Sequence, residues 1–233
     1  LKPATSFTYD WMHVFLSNGI GNIELHLLLK EAKSQHRVSF KQLEMFAAAN
    51  WKYLAFMSPG HTLHKFFSEV RQKASENAET FKAMASEMLM VYPLVRHFAY
   101  TILENLGGME LQLVSFYALG YALDLLHAAK RGPINTVELQ AAISLHGDLH
   151  QRAYGTENVK PKHHYAHHVP LQIARDHLLL DTFVLERKHQ PIKRCAGHCQ
   201  NTVAYERSVL SRVLVDQFRK LCKYDVGDCL VGK

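Results

Sequence analysis

Apolar residues recur every three or four positions along most of this chain, which is the spacing of an α-helix with one buried face. The pattern begins around Val14 and Leu16, continues past the glycines at 19 and 21, and recurs in later segments up to residue 155. It is strongest over residues 80–106 and 110–131. We therefore expect a mainly α fold, with a large helical block over residues 12–155.

Local start and stop signals support this division into helices. Ser39 with Gln42 three residues later is a capping box, and Asn135 or Thr136 is placed to cap the last helix of the block. Pro93 lies inside a long apolar stretch, so a kink or break is expected there. These signals predict several helices with short connections.

The pattern of hydrophobic and polar positions changes after residue 155. A short helix is expected around residues 162–177, and Leu178–Leu185 is the one convincing strand, since it is short, apolar and partly β-branched. A single strand cannot form a sheet, so a partner is needed, and Ser6–Asp10 is a candidate. We expect a strand remnant over residues 1–11, a C-terminal core segment of strand and helices over 156–225, and a tail over 226–233.

Composition and charge narrow the function classes. Among 233 residues, 48% are hydrophobic and 21% are charged, which argues against disorder. No apolar run is long enough to span a bilayer, and no signal peptide is visible, so we expect a nuclear or other intracellular protein that is not secreted and contacts no membrane. The net charge of +6 is compatible with DNA as a partner. A homo-oligomer is equally compatible.

Histidines are unusually frequent, and four of them form two pairs with helical spacing. His163 and His167 are four positions apart, as are His164 and His168. On a helix each pair shares a face, which lets two imidazoles reach one metal ion. Two histidines do not complete a site, and a third ligand would have to come through folding. The alternative is a polar helix face whose histidines bond to the backbone.

The end of the predicted strand carries an acid followed by bases. Glu186 precedes Arg187, Lys188, Lys193 and Arg194. A carboxylate can hold a divalent ion while the cations hold a phosphate backbone. The same pattern also suits a helix whose first turn favours an acid. Spacing alone leaves both interpretations open.

Three stretches together resemble one protein family. Asp10–His13 is similar to the Asp-x-x-His motif of CACTA-type (En/Spm-like) cut-and-paste transposases. Phe81–Val95 resembles a helical stretch in the insertion domain of related transposon proteins. Residues 160–170, followed by 178–194, resemble the family's Pro-Lys-x-His-Tyr-x-x-His segment and the strand that ends in Glu-Arg. The order of these motifs also agrees with the family.

The resemblance implies an RNase H-like core interrupted by a helical insertion. It assigns Glu186 to the family's catalytic glutamate and Asp10 and His13 to its accessory Asp-x-x-His pair, which we also count as catalytic candidates. It places His164 and His168 on the His-x-x-x-His helix and implies two Mg²⁺ or Mn²⁺ ions acting on DNA. The family's two catalytic aspartates would precede Asp10, so the chain as given is expected to be catalytically incomplete. Asp10, His13 and Glu186 should converge in the fold.

Two other functions are compatible with the same residues. One is a helical interaction or scaffold protein without catalysis. The other is a histidine-rich metal-binding protein, which requires His164, His168 and a third ligand to meet at one point.

Overall fold

The structure is a computed structural model that describes residues 8–50, 66–182, 192, 195–197 and 204–221. It is mainly α, as predicted, and these residues contain no β-strand. The helices are α1 (Trp11–Phe15), α2 (Ile20–His36), α3 (Phe40–Asn50), α4 (Glu69–Asn77), α5 (Ala85–Phe98), α6 (Glu104–Leu106), α7 (Glu110–Ala129), α8 (Thr136–Tyr154), α9 (Pro161–Ala166), α10 (His168–Asp176) and α11 (Tyr205–Leu221).

The chain divides into two compact units, Leu1–Asp181 and Thr182–Lys233. The first contains α1–α10, and its core lies where α2, α5, α7 and α8 pack together. Leu25 of α2, Val95 of α5 and Leu126 of α7 are almost completely buried there. The second unit contains α11. None of the described helices combines the length and the apolar character that crossing a membrane requires.

The predicted helix starts are confirmed where the structure describes them. The Gln42 side chain accepts the Ser39 backbone N–H at 2.8 Å, and the Ser39 hydroxyl accepts the Gln42 backbone N–H at 3.3 Å. Asn135 accepts the backbone N–H groups at the start of α8, at 3.0 and 3.2 Å. These caps act within one turn, which is why local sequence was sufficient to find them.

Pro93 does not break its helix. The α5 helix continues past it to Phe98, then passes into a π-helical turn over Ala99–Leu103 and into α6. Proline removes one backbone donor, but the apolar face on both sides of it, with Val91, Leu94 and Val95 buried, holds the helix together. The wider π turn follows the proline by less than two turns.

The predicted strands are not formed where they can be checked. Residues 8–10 and 178–182 lie in irregular backbone, and the remainder of both segments lies outside the described residues. Leu178 is exposed, so this part of the segment has no buried face of the kind that would hold a strand. An RNase H-like sheet is thus not part of the described structure.

The close packing of the turn between α1 and α2 fixes the orientation of α2 in the core. Asn22 accepts the Gly19 backbone N–H at 3.0 Å and donates to the Phe81 carbonyl at 2.9 Å. A Cβ at Gly19 would lie 2.4 Å from the carbonyl carbon of Phe15, so only glycine fits without movement of the backbone. This packing sets the rotation of α2 and turns Glu24 into the core.

Candidate functional site

Asp10 and His13, the pair from the first motif, sit together at the start of α1. One Asp10 carboxylate oxygen accepts the Met12 backbone N–H at 3.1 Å, and the other is paired with Nδ1 of His13. Asp10 therefore acts as the N-cap of α1. The His13 side chain remains partly exposed.

The helix of the third stretch, α9, docks directly on α1. The Lys162 ammonium of α9 donates to the carbonyls of His13 and Ser17, at 2.7 and 2.8 Å. These carbonyls lie at the end of α1, where a cation is favourable. Burial lowers the pKa of Lys162. Two motif segments about 150 positions apart in the chain are thus in direct contact at what we call the α1–α9 junction.

Tyr9 extends this junction to α10. Its backbone N–H donates to the Gln172 side chain at 2.6 Å, and its carbonyl accepts from the same amide at 3.2 Å. The Tyr9 ring stacks on the His168 ring, with centroids 5.0 Å apart, and its centroid lies 5.2 Å from that of the Tyr165 ring. The segment before α1 is therefore held against α9 and α10 by both main-chain and aromatic contacts.

Of the two predicted histidine pairs, only one has its two side chains in contact. His164 and His168 have their Nε2 atoms 3.2 Å apart near the surface. His163 and His167 separate because α9 ends at Ala166: His163 points into the core, and His167 bonds to Gln140 at 3.1 Å. No third ligand joins His164 and His168 within the part of the chain that the structure describes.

The remaining predicted site residues lie outside the described residues. These are the acid and the bases that follow the predicted strand: Glu186, Arg187, Lys188, Lys193 and Arg194. The predicted convergence of Glu186 with Asp10 and His13 stays a prediction for that reason.

A buried cluster that was not predicted from the sequence lies between α2 and α8. Oε2 of Glu24 is 2.5 Å from Nδ1 of His150 and 3.3 Å from Nε2 of His146. All three side chains are almost fully withdrawn from solvent. Their nearest ligand atoms all lie within 4.8 Å of one another, and no other such grouping occurs among the residues described. We call these three residues the Glu–His cluster.

Two further polar side chains border the Glu–His cluster. The His163 ring of α9 stands 4.5 Å from the His150 ring and 6.1 Å from the His146 ring. Tyr154 lies one turn beyond His150, with ring centroids 5.1 Å apart. Three buried atoms here have no hydrogen-bond partner: Oε1 of Glu24, Nε2 of His163 and the Tyr154 hydroxyl oxygen. Unpaired buried polar atoms are uncommon and costly.

Electrostatics within the cluster follow from burial and mutual contact. Burial alone would raise the pKa of Glu24, but hydrogen bonds from His146 and His150 and their charge outweigh it and bring the pKa to about 2. Burial, with repulsion from His150 and His146, lowers the pKa of His163 to about 4. Burial and the negative charge of Glu24 raise the pKa of Tyr154. A carboxylate anion is thus stabilised inside the core.

The sequence did contain a signal for two of these residues. His146 and His150 are four apart, like the histidines at 163–168, and they fall on the face of α8 that also carries Leu139 and Ile143. A histidine pair on an apolar helix face indicates a buried site. Glu24 had no such signal, because it lies 122 positions from His146 and only tertiary packing brings them together.

No protein-family model matches this chain, and no curated protein or solved structure is significantly similar to it. Its function must therefore be argued from its own residues.

Proposed function

We propose that this chain is a transposase-derived DNA-binding protein that acts in the nucleus. The observation that carries the proposal is the α1–α9 junction, where Lys162 of the Pro-Lys-x-His-Tyr segment binds the end of the Asp10–His13 helix at 2.7 and 2.8 Å. Two of the stretches that resemble one family are therefore neighbours in space, which supports the proposal.

The charge balance of the chain agrees with DNA as the partner. The net charge is +6, and the bases at Arg187, Lys188, Lys193 and Arg194 are grouped within eight positions. Such groups neutralise phosphates and release counterions, which supplies affinity without sequence specificity. We assign DNA contact to these four residues.

The proposal covers DNA binding and not strand cleavage. Two-metal catalysis needs several carboxylates around a pair of Mg²⁺ or Mn²⁺ ions. Of the residues assigned to catalysis, Asp10 is the one carboxylate within the described residues, and it is engaged by the Met12 N–H and by His13. These residues by themselves do not fit a two-metal centre.

The test is fluorescence anisotropy of the purified chain with duplex DNA across a salt series. A variant with Lys188, Lys193 and Arg194 changed to glutamine should bind more weakly, and the slope of log affinity against log salt should become shallower by about 2 to 3, since each phosphate contact contributes about 0.9.

A matched variant separates these positions from bulk charge. Changing Lys41, Lys73 and Arg131 to glutamine removes the same three charges at exposed positions elsewhere. It should leave the salt slope almost unchanged. Equal losses in both variants would show that binding follows net charge alone. No binding by the unmodified chain at low salt would remove DNA from its function and favour the helical scaffold instead.

A further inference from the structure

We propose that the Glu–His cluster is a binding site for one transition-metal ion of the zinc type, held between α2 and α8 by Glu24, His146 and His150. The proposal is independent of DNA binding, because it concerns the core of the first unit. Two imidazoles and one carboxylate form a donor set that zinc accepts in proteins. Four-residue spacing on α8 already places both imidazoles on one side of the ion.

The distances agree with a tetrahedral ion. Metal–ligand bonds of about 2.0 to 2.1 Å imply ligand atoms about 3.3 Å apart. Nε2 of His146 lies 3.3 Å from Oε2 of Glu24. The Glu24–His150 contact of 2.5 Å is shorter and has to widen. A rotation of the Glu24 carboxylate would instead present Oε1, the oxygen that has no partner.

The surroundings orient His150 as a metal ligand. Its Nε2 lies 3.4 Å from the Asn158 carbonyl, which can accept the ring N–H. The lone pair of Nδ1 then faces the Glu24 carboxylate, and a cation between the two satisfies both. Outer hydrogen bonds of this kind from a backbone carbonyl commonly fix the tautomer of a ligating histidine.

His163 can supply a fourth ligand. Its Nδ1 accepts the Lys160 backbone N–H at 3.0 Å and also lies 3.2 Å from the Lys160 carbonyl, so ligation through Nε2 requires Nδ1 to take the proton and to bond to the carbonyl instead. That Nε2 is buried and has no partner, although the ring stands 4.5 Å from His150. Where His163 keeps its bonds to Lys160, a water molecule completes the coordination.

The competing explanation is a metal-free ion pair between Glu24 and a doubly protonated histidine. It leaves Nε2 of His163 without a partner, whereas a metal ion can supply one. The ion pair also predicts no affinity for zinc in the core. Adventitious binding would occur elsewhere, at the His164–His168 pair or at the cysteines.

The experiment uses the full chain, unfolded in chelator to remove metal and refolded with or without Co²⁺, because the cluster is closed to solvent. One bound Co²⁺ per chain, with absorption of a tetrahedral ion and no thiolate charge-transfer band, is the expected result. Zn²⁺ should displace it and raise the melting temperature.

Variants locate the ion. Glu24→Gln and His150→Gln should each weaken binding more than about 100-fold, because even outer partners of a metal ligand are worth 10–100-fold. The control, His164→Gln with His168→Gln, should bind as the unmodified chain does. No binding by the unmodified chain, unchanged binding in Glu24→Gln, loss of binding in the control, or a thiolate band would each overturn the proposal.

A second measurement decides the matter if neither core variant folds. X-ray absorption of the zinc-loaded control variant should then show at least two imidazoles and one oxygen ligand. A shell that contains sulphur, or fewer than two imidazoles, would contradict a site in the Glu–His cluster.

Discussion

Replacing Glu24 by glutamine should destabilise the metal-free chain by about 3 kcal/mol at neutral pH. Glutamine keeps the shape of the side chain and can still accept one hydrogen bond, so the loss reports the charge. The magnitude follows from the pKa of Glu24, which falls from 4.5 to about 2 in the folded chain. One pKa unit corresponds to about 1.4 kcal/mol.

The pH dependence of this loss is specific. Because the folded pKa lies below the unfolded one, ionisation of Glu24 stabilises the fold fully above pH 4.5. This stabilisation disappears as the pH falls towards 2. The gap between the unmodified chain and Glu24→Gln should therefore be constant near neutral pH and close steadily in acid.

Urea unfolding followed by circular dichroism, in chelator and across this pH range, measures the gap. Glu157→Gln is the control, since it removes the same charge from an exposed position. It should change stability by less than about 0.5 kcal/mol. If Glu24→Gln unfolds at the same urea concentration as the unmodified chain, or if its deficit does not shrink in acid, the charged cluster does not stabilise the fold as argued.

Three further substitutions test the packing around the site. His163→Gln keeps an acceptor for the cap of α9 but cannot titrate. As the pH falls from 6.5 towards 4, the unmodified chain should lose about 3 kcal/mol more of its unfolding free energy than this variant, as urea midpoints will show. Gly19→Ala should lower the free energy of unfolding by at least about 2 kcal/mol, because the added Cβ would clash with the Phe15 backbone. Its control, Gly132→Ala, has open space around the added Cβ and should leave the free energy of unfolding nearly unchanged in the same assay. Lys162→Met should lower stability by about 1 to 3 kcal/mol by leaving two carbonyls of the α1–α9 junction unpaired, and an unchanged melting temperature would contradict that role.

Local sequence was sufficient for features that form within one turn. The Ser39–Gln42 box and the Asn135 cap were found because all their atoms lie within four residues. The strand at Leu178–Leu185 was a different kind of prediction, since a strand depends on a distant partner. Residues 178–182 are irregular in the structure, which shows that an apolar, β-branched composition did not suffice.

Histidine spacing illustrates the same limit at the candidate site. The pairs at 163–168 and the pair at 146 and 150 have identical spacing, but only the second lies on a long helix with an apolar face. The break after Ala166 sends His163 inward and leaves His164 exposed. Spacing identified only the histidines at 163–168 as candidates, and burial, which depends on the whole fold, is what distinguishes His146 and His150.

The short helix α9 connects the two sites. Its consecutive residues Lys162 and His163 point in different directions, one to the carbonyls of α1 and the other to the histidines of α8. A helix of six residues is not stable by itself, so these two anchors determine where it lies. If binding of a metal ion or a proton at the Glu–His cluster moves His163, it must also shift Lys162 and so strain the hydrogen bonds of Lys162 to α1. The stability of the α1–α9 junction thus depends on whether the Glu–His cluster holds a metal ion or a proton.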